Sequence, residues 1–185
     1  MPFKIAVLVG SLRRDSINRR LAQALTKLPA AAGHTFEFVE IGKLPLYNQD
    51  DDANPPAAAV ELKSKVRAAD AVIFVSPEYN RSIPGVLKNA IDHGSRPHGD
   101  SAWSGKPAGV IGTSGGKAGT AMAQQHLRNV LAYLDVPTLG QPEAFVQWQD
   151  DILDGSGAPQ GKTGEFLGIW MAAFLKFVGQ HHPQG

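Results

Sequence analysis

Three short apolar runs without any polar interruption constrain the fold of this chain more than any other feature of its sequence. They occupy residues 5–9, 71–75 and 108–111, and small or polar residues follow each of them. A β-prone run that lacks polar alternation is typical of a strand buried on both faces, as in a parallel sheet. The chain is therefore predicted to build its core around a parallel sheet.

Segments with a helical spacing of apolar residues separate these runs. The spacing predicts helices over residues 18–28, from a cap at Asn54 to about Ala69, from Pro84 onward, around 122–134, and over 166–178. Residues 35–41 alternate like an edge strand, and residues 143–146 are the best candidate for a last strand. The aromatic stripe of the last helix is interpreted as core packing. Strands that alternate with helices predict right-handed βαβ units, and hence an α/β fold with an open parallel sheet and helices on both faces.

Composition narrows the class of protein. The 185 residues include 18 Lys and Arg against 17 Asp and Glu, a formal net charge of +1, which argues against a nucleic-acid partner. The absence of cysteine excludes thiol catalysis, disulfides and cysteine-based zinc sites, and the histidines lack the spacing of metal ligands. Because no apolar run approaches a membrane span in length and residues 1–4 show no signal-peptide pattern, we expect one cytoplasmic domain over residues 1–185 with no membrane partner.

The functional residues are expected in loops that follow strands, because ligands of such sheets bind at the carboxyl edge near the point where the strand order reverses. The first loop, residues 10–18, reads Gly-Ser-Leu-Arg-Arg-Asp-Ser-Ile-Asn and leads into a helix. The free N–H groups of a helix N-terminus favour an anion such as phosphate. An ordinary N-cap at Ser16, with solvated arginines, is the alternative interpretation.

The second loop, residues 76–84, reads Ser-Pro-Glu-Tyr-Asn-Arg-Ser-Ile-Pro. Pro77 and Pro84 bracket it and fix part of its backbone. A rigid loop that presents N–H and C=O groups suits the edge of a planar heterocycle, and Tyr79 is a candidate to flank a ring. The alternative is a tight connection in which Glu78 pairs with a nearby arginine.

The third loop, residues 112–119, begins with a G-x-S-x-G match, the pattern of a hydrolase nucleophile elbow between a strand and a helix. Ser114 would then be the nucleophile of a serine hydrolase. The partners that follow in the hydrolase order are Asp150, Asp151 or Asp154, and then His181 or His182. Two points weigh against this alternative: both histidines lie in the last five residues, and a hydrolase has no use for the first two loops.

Together the three loops resemble the NADPH-dependent FMN reductase family of flavodoxin-like proteins, and most nearly its bacterial chromate- and quinone-reductase branch. The resemblance rests on G-S-L-R-x-x-S-x-N at 10–18, P-E-Y-N at 77–80, I-P-G at 83–85, L-K-N-A-I-D at 87–92, G-K-P at 105–107, T-S at 113–114 and H-L-R at 126–128. It implies a flavodoxin-like three-layer sandwich whose five-stranded parallel sheet has the order 2-1-3-4-5. Two residues depart from the family pattern. Asp15 brings a negative charge into the first loop and is expected to point outward, and His93 replaces a common tryptophan.

The resemblance also implies a cofactor, FMN, and the residues that hold it. The phosphate and ribityl chain would lie on Ser11, Arg13, Ser16, Ile17 and Asn18. The isoalloxazine would be lined by Pro77, Glu78, Tyr79 and Asn80, and closed on the other side by Ser114 and Gly115. In this interpretation Ser114 is not a nucleophile, and no side chain is assigned a catalytic role.

The implied activity is an FMN-dependent NAD(P)H oxidoreductase. Hydride would pass from NADPH or NADH to N5 of FMN, and then to a small-molecule acceptor such as a quinone, a flavin or chromate, by ping-pong transfer. Arg81, and second Arg14, are candidates to favour NADPH through its extra phosphate. The family likeness further implies a homodimer or homotetramer. The alternative is a flavodoxin-like electron carrier without its own NAD(P)H turnover, although a net charge of +1 does not supply the acidic face typical of such carriers.

Overall fold

A computed structural model describes residues 1–181 of the chain. Its centre is a five-stranded, fully parallel sheet in the order β2-β1-β3-β4-β5, which confirms the predicted topology. The strands are β1 (Lys4–Val9), β2 (Thr35–Phe38), β3 (Ala71–Val75), β4 (Ala108–Ser114) and β5 (Ala144–Gln147). The three unbroken apolar runs supply the three central strands, where both faces are covered.

Five α-helices connect and cover these strands. They are α1 (Ile17–Leu25), α2 (Ala57–Arg67), α3 (Gly85–Ser95), α4 (Ala121–Tyr133) and α5 (Gly161–His181), with 3₁₀ turns at Pro29–Ala31 and Gln49–Asp51. Within residues 1–181, no helix is both long and apolar enough to cross a membrane.

Several predicted boundaries were wrong by a few residues. Helix α1 ends at Leu25 rather than at 28, and the chain turns into the 3₁₀ segment that begins at Pro29. Helix α2 begins at Ala57 because Pro56 adopts an extended conformation as the N-cap, a position predicted for Asn54. Strand β2 ends at Phe38, although Ile41 beyond it is still buried.

Each face of the sheet carries its own apolar core. Helices α1 and α5 cover one face, and α2, α3 and α4 cover the other. The aromatic stripe of α5 is core packing, as predicted: Trp170 and Phe174 are fully buried and stack with ring centroids 5.6 Å apart. A Cβ at Gly109 would lie 2.9 Å from Phe174 and 3.0 Å from Trp170, so these rings rest directly on the backbone of β4.

Candidate functional site

The three predicted loops follow β1, β3 and β4, which are adjacent strands of a parallel sheet, so they meet at one carboxyl edge. The strand order reverses between β1 and β3, because β2 lies on the outer side of β1. Open α/β sheets bind their ligands in the crevice at this position. The topology therefore brings together the segments that the sequence singled out.

The first loop ends in a partly free helix N-terminus. Ser16 is buried and its Oγ accepts the N–H of Arg19 at 3.2 Å, so it is the N-cap of α1. Among residues 1–181, the backbone N–H groups of Ile17 and Asn18 have no hydrogen-bond acceptor. These donors, together with the helix dipole, favour a bound anion. The predicted N-cap and the predicted anion site are therefore compatible features of the same helix end.

Two residues of this loop use their side chains differently from the phosphate contacts implied for them. The guanidinium of Arg13 is exposed and donates from Nε to the carbonyl of Asp15 at 3.0 Å. The buried amide of Asn18 binds the backbone of Thr113 at the end of β4, donating to its C=O at 2.9 Å and accepting its N–H at 3.0 Å. Asn18 thus offers a ligand its backbone N–H rather than its side chain. Asp15 is exposed, as expected.

The second loop is a minimal hairpin. Tyr79 and Ser82 pair antiparallel, and each donates its N–H to the other's carbonyl at 3.0 Å. The two residues between them, Asn80 and Arg81, have φ angles of 53° and 63°. Positive φ at both central positions is the signature of a type I′ turn. The hairpin presents Tyr79, which is 52% exposed, at the carboxyl edge of the sheet.

Side chains at both ends of this hairpin are bonded to α4. The Glu78 carboxylate accepts the N–H of Ala123 at 3.0 Å, in the first turn of the helix, where Thr120 as N-cap makes no side-chain capping bond. Ser82 Oγ lies 3.0 Å from Nδ1 of His126 on the same helix. Glu78 therefore binds a helix N-terminus rather than an arginine, and two side-chain contacts hold the hairpin against α4.

The third loop starts in close contact with the second loop, and further along it there is free space around Gly115. A Cβ at Gly112 would lie 2.1 Å from the carbonyl oxygen of Ser76, so this glycine permits the close approach of two strand ends. A Cβ at Gly115 would meet nothing within 4 Å. Ser114 Oγ donates to the carbonyl of Gly119 and lies 3.3 Å from the carbonyl of Gly116. This hydroxyl organises its own loop.

The described residues do not assemble a serine-hydrolase triad. His181 contacts the carbonyl of Phe177 through Nδ1 and lines a cavity with Lys106 and Pro107, which precede β4 at the opposite, amino edge of the sheet. Asp154 uses its carboxylate in its own turn, where it accepts the N–H groups of Ser156 and Ala158. Asp150 and Asp151 are exposed, and His182 lies outside the described residues. Ser114 thus lies at the carboxyl edge of the sheet and His181 at its amino edge.

The structure also reveals site neighbours that the sequence did not indicate. Trp148 donates its N–H to the carbonyl of Ser114 at 2.8 Å, and its ring lies under Arg20, whose Cζ is 4.8 Å from the ring centroid. The pair joins α1 to the segment after β5. Away from this edge, His93 is buried, and its Nε2 lies 2.9 Å from the carbonyl oxygen of Pro45. Such contacts between segments distant in sequence carry no motif that could have predicted them.

A cavity of about 710 Å³ lies away from this edge, between α2 and the C-terminal part of α3. Two of its basic side chains share one carboxylate: Lys63 Nζ bonds Asp100 at 2.6 Å, and Arg67 pairs with the same group. The hydrogen bond from Lys63, followed by the ion pairing, holds the pKa of Asp100 below its usual range. No residue of the three loops lines this cavity, so it is separate from the candidate site at the carboxyl edge.

Comparisons with known proteins identify the family of this chain. The family model described as NADPH-dependent FMN reductase matches residues 3–150. A "2-hydroxy-1,4-benzoquinone reductase" from Burkholderia sp is 54% identical over 179 residues, covering 96% of this chain and 97% of the relative. A "Quinone reductase" from Pseudomonas putida is 46% identical, covering 95% of each. The solved structure of FerB, a flavoenzyme NAD(P)H:(acceptor) oxidoreductase from Paracoccus denitrificans, has a TM-score of 0.93 and 42% identity, covering 97% of this chain and 99% of that one. The chain belongs to the NADPH-dependent FMN reductase family.

Proposed function

We propose that this protein is an FMN-dependent NAD(P)H oxidoreductase that reduces quinones. The observation that carries the proposal is the convergence of a helix N-terminus, a rigid hairpin and an open glycine loop at the strand-order reversal. These elements match the parts of a flavin mononucleotide: a dianionic phosphate, a polar ribityl chain and a planar ring with hydrogen-bonding edges. The residues present therefore fit the cofactor of the family.

The α1 N-terminus supports the placement of the phosphate. Free N–H groups at Ile17 and Asn18 and the buried hydroxyl-bearing residues Ser11 and Ser16 lie at the end of β1. Arg13 is exposed beside them and would add positive charge once its bond to the Asp15 carbonyl yields to the stronger, charge-assisted contact with phosphate. The side chain of Asn18 holds the loop against the end of β4, and its backbone N–H would bind the phosphate.

The second and third loops support the placement of the ring. The lining residues would be Pro77, Glu78, Tyr79 and Asn80 on one side, and Ser114 and Gly115 on the other. Backbone groups of these loops would bind the polar edges of the ring, while the exposed ring of Tyr79 shields it from water. The Glu78 carboxylate contributes indirectly, because its hydrogen bond to Ala123 holds the hairpin against α4.

Bound FMN supplies hydride acceptance from NADPH or NADH and its transfer to a second substrate. What the protein adds is placement: donor and acceptor must reach the same exposed ring face in turn, within about 3–3.5 Å of the reacting atom. The quinone activities named for the relatives favour a small quinone as acceptor, with flavins or chromate as further candidates.

We further infer a single domain that works in the cytoplasm as a homodimer or homotetramer. The two cores share one sheet, which supports the single domain. Helices α3 and α4 are the candidate contact surfaces. Size-exclusion chromatography with light scattering measures the assembly, and a monomeric mass would contradict this part of the proposal.

The deciding experiment is the visible absorption spectrum of the purified protein, followed by anaerobic addition of NADPH and then a quinone. We expect flavin bands that bleach with NADPH and return with the quinone. Bands that persist in NADPH would instead indicate an electron carrier. A colourless protein that takes up no added FMN would overturn the cofactor assignment for all three loops.

A further inference from the structure

Arg81 occupies a backbone position that arginine does not favour. It is the second central residue of the Tyr79–Ser82 hairpin, with φ at 63°. The Cβ of an L-residue is crowded in this left-handed region, and type I′ turns accordingly favour glycine at that place. Asn80, at 53°, is a residue type that tolerates the region. Arginine at position 81 therefore costs stability that glycine would not.

The guanidinium of Arg81 gains nothing within the protein that would offset this cost. Its side chain is exposed, and it makes no hydrogen bond or ion pair with any residue of the described range 1–181. The carboxylate nearest in sequence, that of Glu78, is bonded to the N–H of Ala123. A strained residue that persists without an internal partner points to a role toward a ligand.

The contacts between the hairpin and α4 fix the position of the turn that carries this charge. Glu78 and Ser82 bind α4 on both sides of the turn, so the backbone that carries Arg81 is held in place. The exposed ring of Tyr79 stands one residue before the turn, and the imidazole of His126 contacts Ser82 behind it. A cation carried by this held turn, two residues after an exposed aromatic ring, suits a flat anion.

We propose that Arg81 makes the acceptor position selective for quinones that carry a negative charge, the hydroxyquinone anions. This inference rests on the proposed function. The overall reaction is two-electron reduction: NAD(P)H, one proton and the quinone give NAD(P)⁺ and the hydroquinone. A hydroxyl on a quinone ring is a vinylogous acid and is deprotonated at neutral pH, so the guanidinium can bind its delocalised oxygens through charge-assisted hydrogen bonds.

The test compares an anionic with a neutral acceptor in the FMN-loaded protein. The acceptors are 2-hydroxy-1,4-benzoquinone and 2-methyl-1,4-benzoquinone, and the measured quantity is the ratio of their kcat/KM values with NADPH. Arg81→Gln is expected to lower this ratio about tenfold, the size of one charge-assisted contact, with little change for the neutral quinone. Arg81→Lys retains most of the ratio, and about 0.5 M salt lowers the wild-type ratio through screening.

Two further variants separate charge from conformation. Arg81→Gly is expected to lower the ratio of kcat/KM values as much as Arg81→Gln does. It should nevertheless raise the melting temperature, because glycine relieves the left-handed strain. Lys176→Gln removes an equal charge from an exposed position on α5, away from the carboxyl edge, and is expected to leave the ratio unchanged. A ratio that falls equally in the Lys176 variant would overturn the proposal, because the effect would then follow net charge.

A binding measurement keeps the inference separate from the proposed function. Calorimetric titration of the oxidised protein with 2-hydroxy-1,4-benzoquinone is expected to give a dissociation constant about tenfold weaker in Arg81→Gln. That result in a protein that turns over no quinone would support the anion site and refute the quinone reductase. An unchanged ratio and an unchanged constant overturn the inference. So does a tenfold change confined to NADPH against NADH, which would assign Arg81 to the coenzyme phosphate.

Discussion

The side-chain amide of Asn18 and the backbone of Thr113 exchange two hydrogen bonds, of 2.9 Å and 3.0 Å, in the interior of the protein. The first residue belongs to the opening turn of α1 and the second to the end of β4. Thr113 in turn donates its hydroxyl to the carbonyl of Val146 on β5 at 2.9 Å. One amide therefore sets the distance between the first and third loops of the candidate site.

Asn18→Ala is expected to destabilise the protein and weaken FMN retention together. The variant leaves the buried N–H and C=O of Thr113 without partners, at a cost of about 2 kcal/mol in the free energy of unfolding. The same loss frees the loop after β1 from the loop after β4. Urea denaturation measures the first effect, and FMN released on dialysis measures the second. Asn48→Ala, at an exposed N-cap, is the matched control and should cost less than about 1 kcal/mol.

The fold could be predicted from the sequence because its main signals are local. Unbroken runs at 5–9, 71–75 and 108–111 each report burial on both faces, and periodicity alone locates the helices between them. The helix ends were predicted less accurately because they depend on particular backbone angles. Pro56, for example, is the N-cap of α2 and lies outside the helix, while the sequence pattern placed the cap two residues earlier, at Asn54.

The candidate site could be predicted as a set of loops, but its internal contacts could not. The sequence located Asn18 and Glu78 correctly at the edge, yet it gave no sign that Asn18 binds Thr113 or that Glu78 binds Ala123. These bonds join residues 95 and 45 positions apart. Their partners are backbone groups, which every residue carries, so no residue type marks them in the sequence.

The glycines of the third loop provide a second prediction with a built-in comparison. Gly112→Ala places a methyl group only 2.1 Å from the Ser76 carbonyl oxygen, where there is no room for it, so we expect a loss of about 3 kcal/mol in the free energy of unfolding. Gly115→Ala meets no atom within 4 Å and should change stability by less than about 0.5 kcal/mol. If the flavin ring lies against this loop, Gly115→Ala nevertheless weakens FMN binding. Equal stability losses in the two variants would contradict the packing described.

Glu78 tests whether the second loop is held by a helix N-terminus. Glu78→Ala removes both the hydrogen bond to the Ala123 N–H and a negative charge from the positive end of α4, and we expect a loss of about 1 kcal/mol in stability. Glu78→Gln keeps an acceptor oxygen and should lose about half as much. Thermal unfolding of both variants gives the comparison, with Glu165→Ala, an exposed glutamate, as the control. Identical behaviour of the Ala and Gln variants would mean that the hydrogen bond contributes nothing.

Asp154 provides a pH-dependent prediction remote from the carboxyl edge. Its hydrogen bond from the Ser156 hydroxyl, followed by those from backbone N–H groups, holds the pKa of this exposed carboxyl below its ordinary value of 3.8. A depressed folded-state pKa stabilises the fold above the unfolded value, and this contribution is lost as the pH falls through the folded-state value. Asp154→Ala should therefore lower the melting temperature at neutral pH, and its difference from wild type should shrink below pH 3.8. Asp150→Ala, at a nearby exposed aspartate, is the control, and a difference for Asp154→Ala that stays constant into acid would show that the charge does not stabilise the turn.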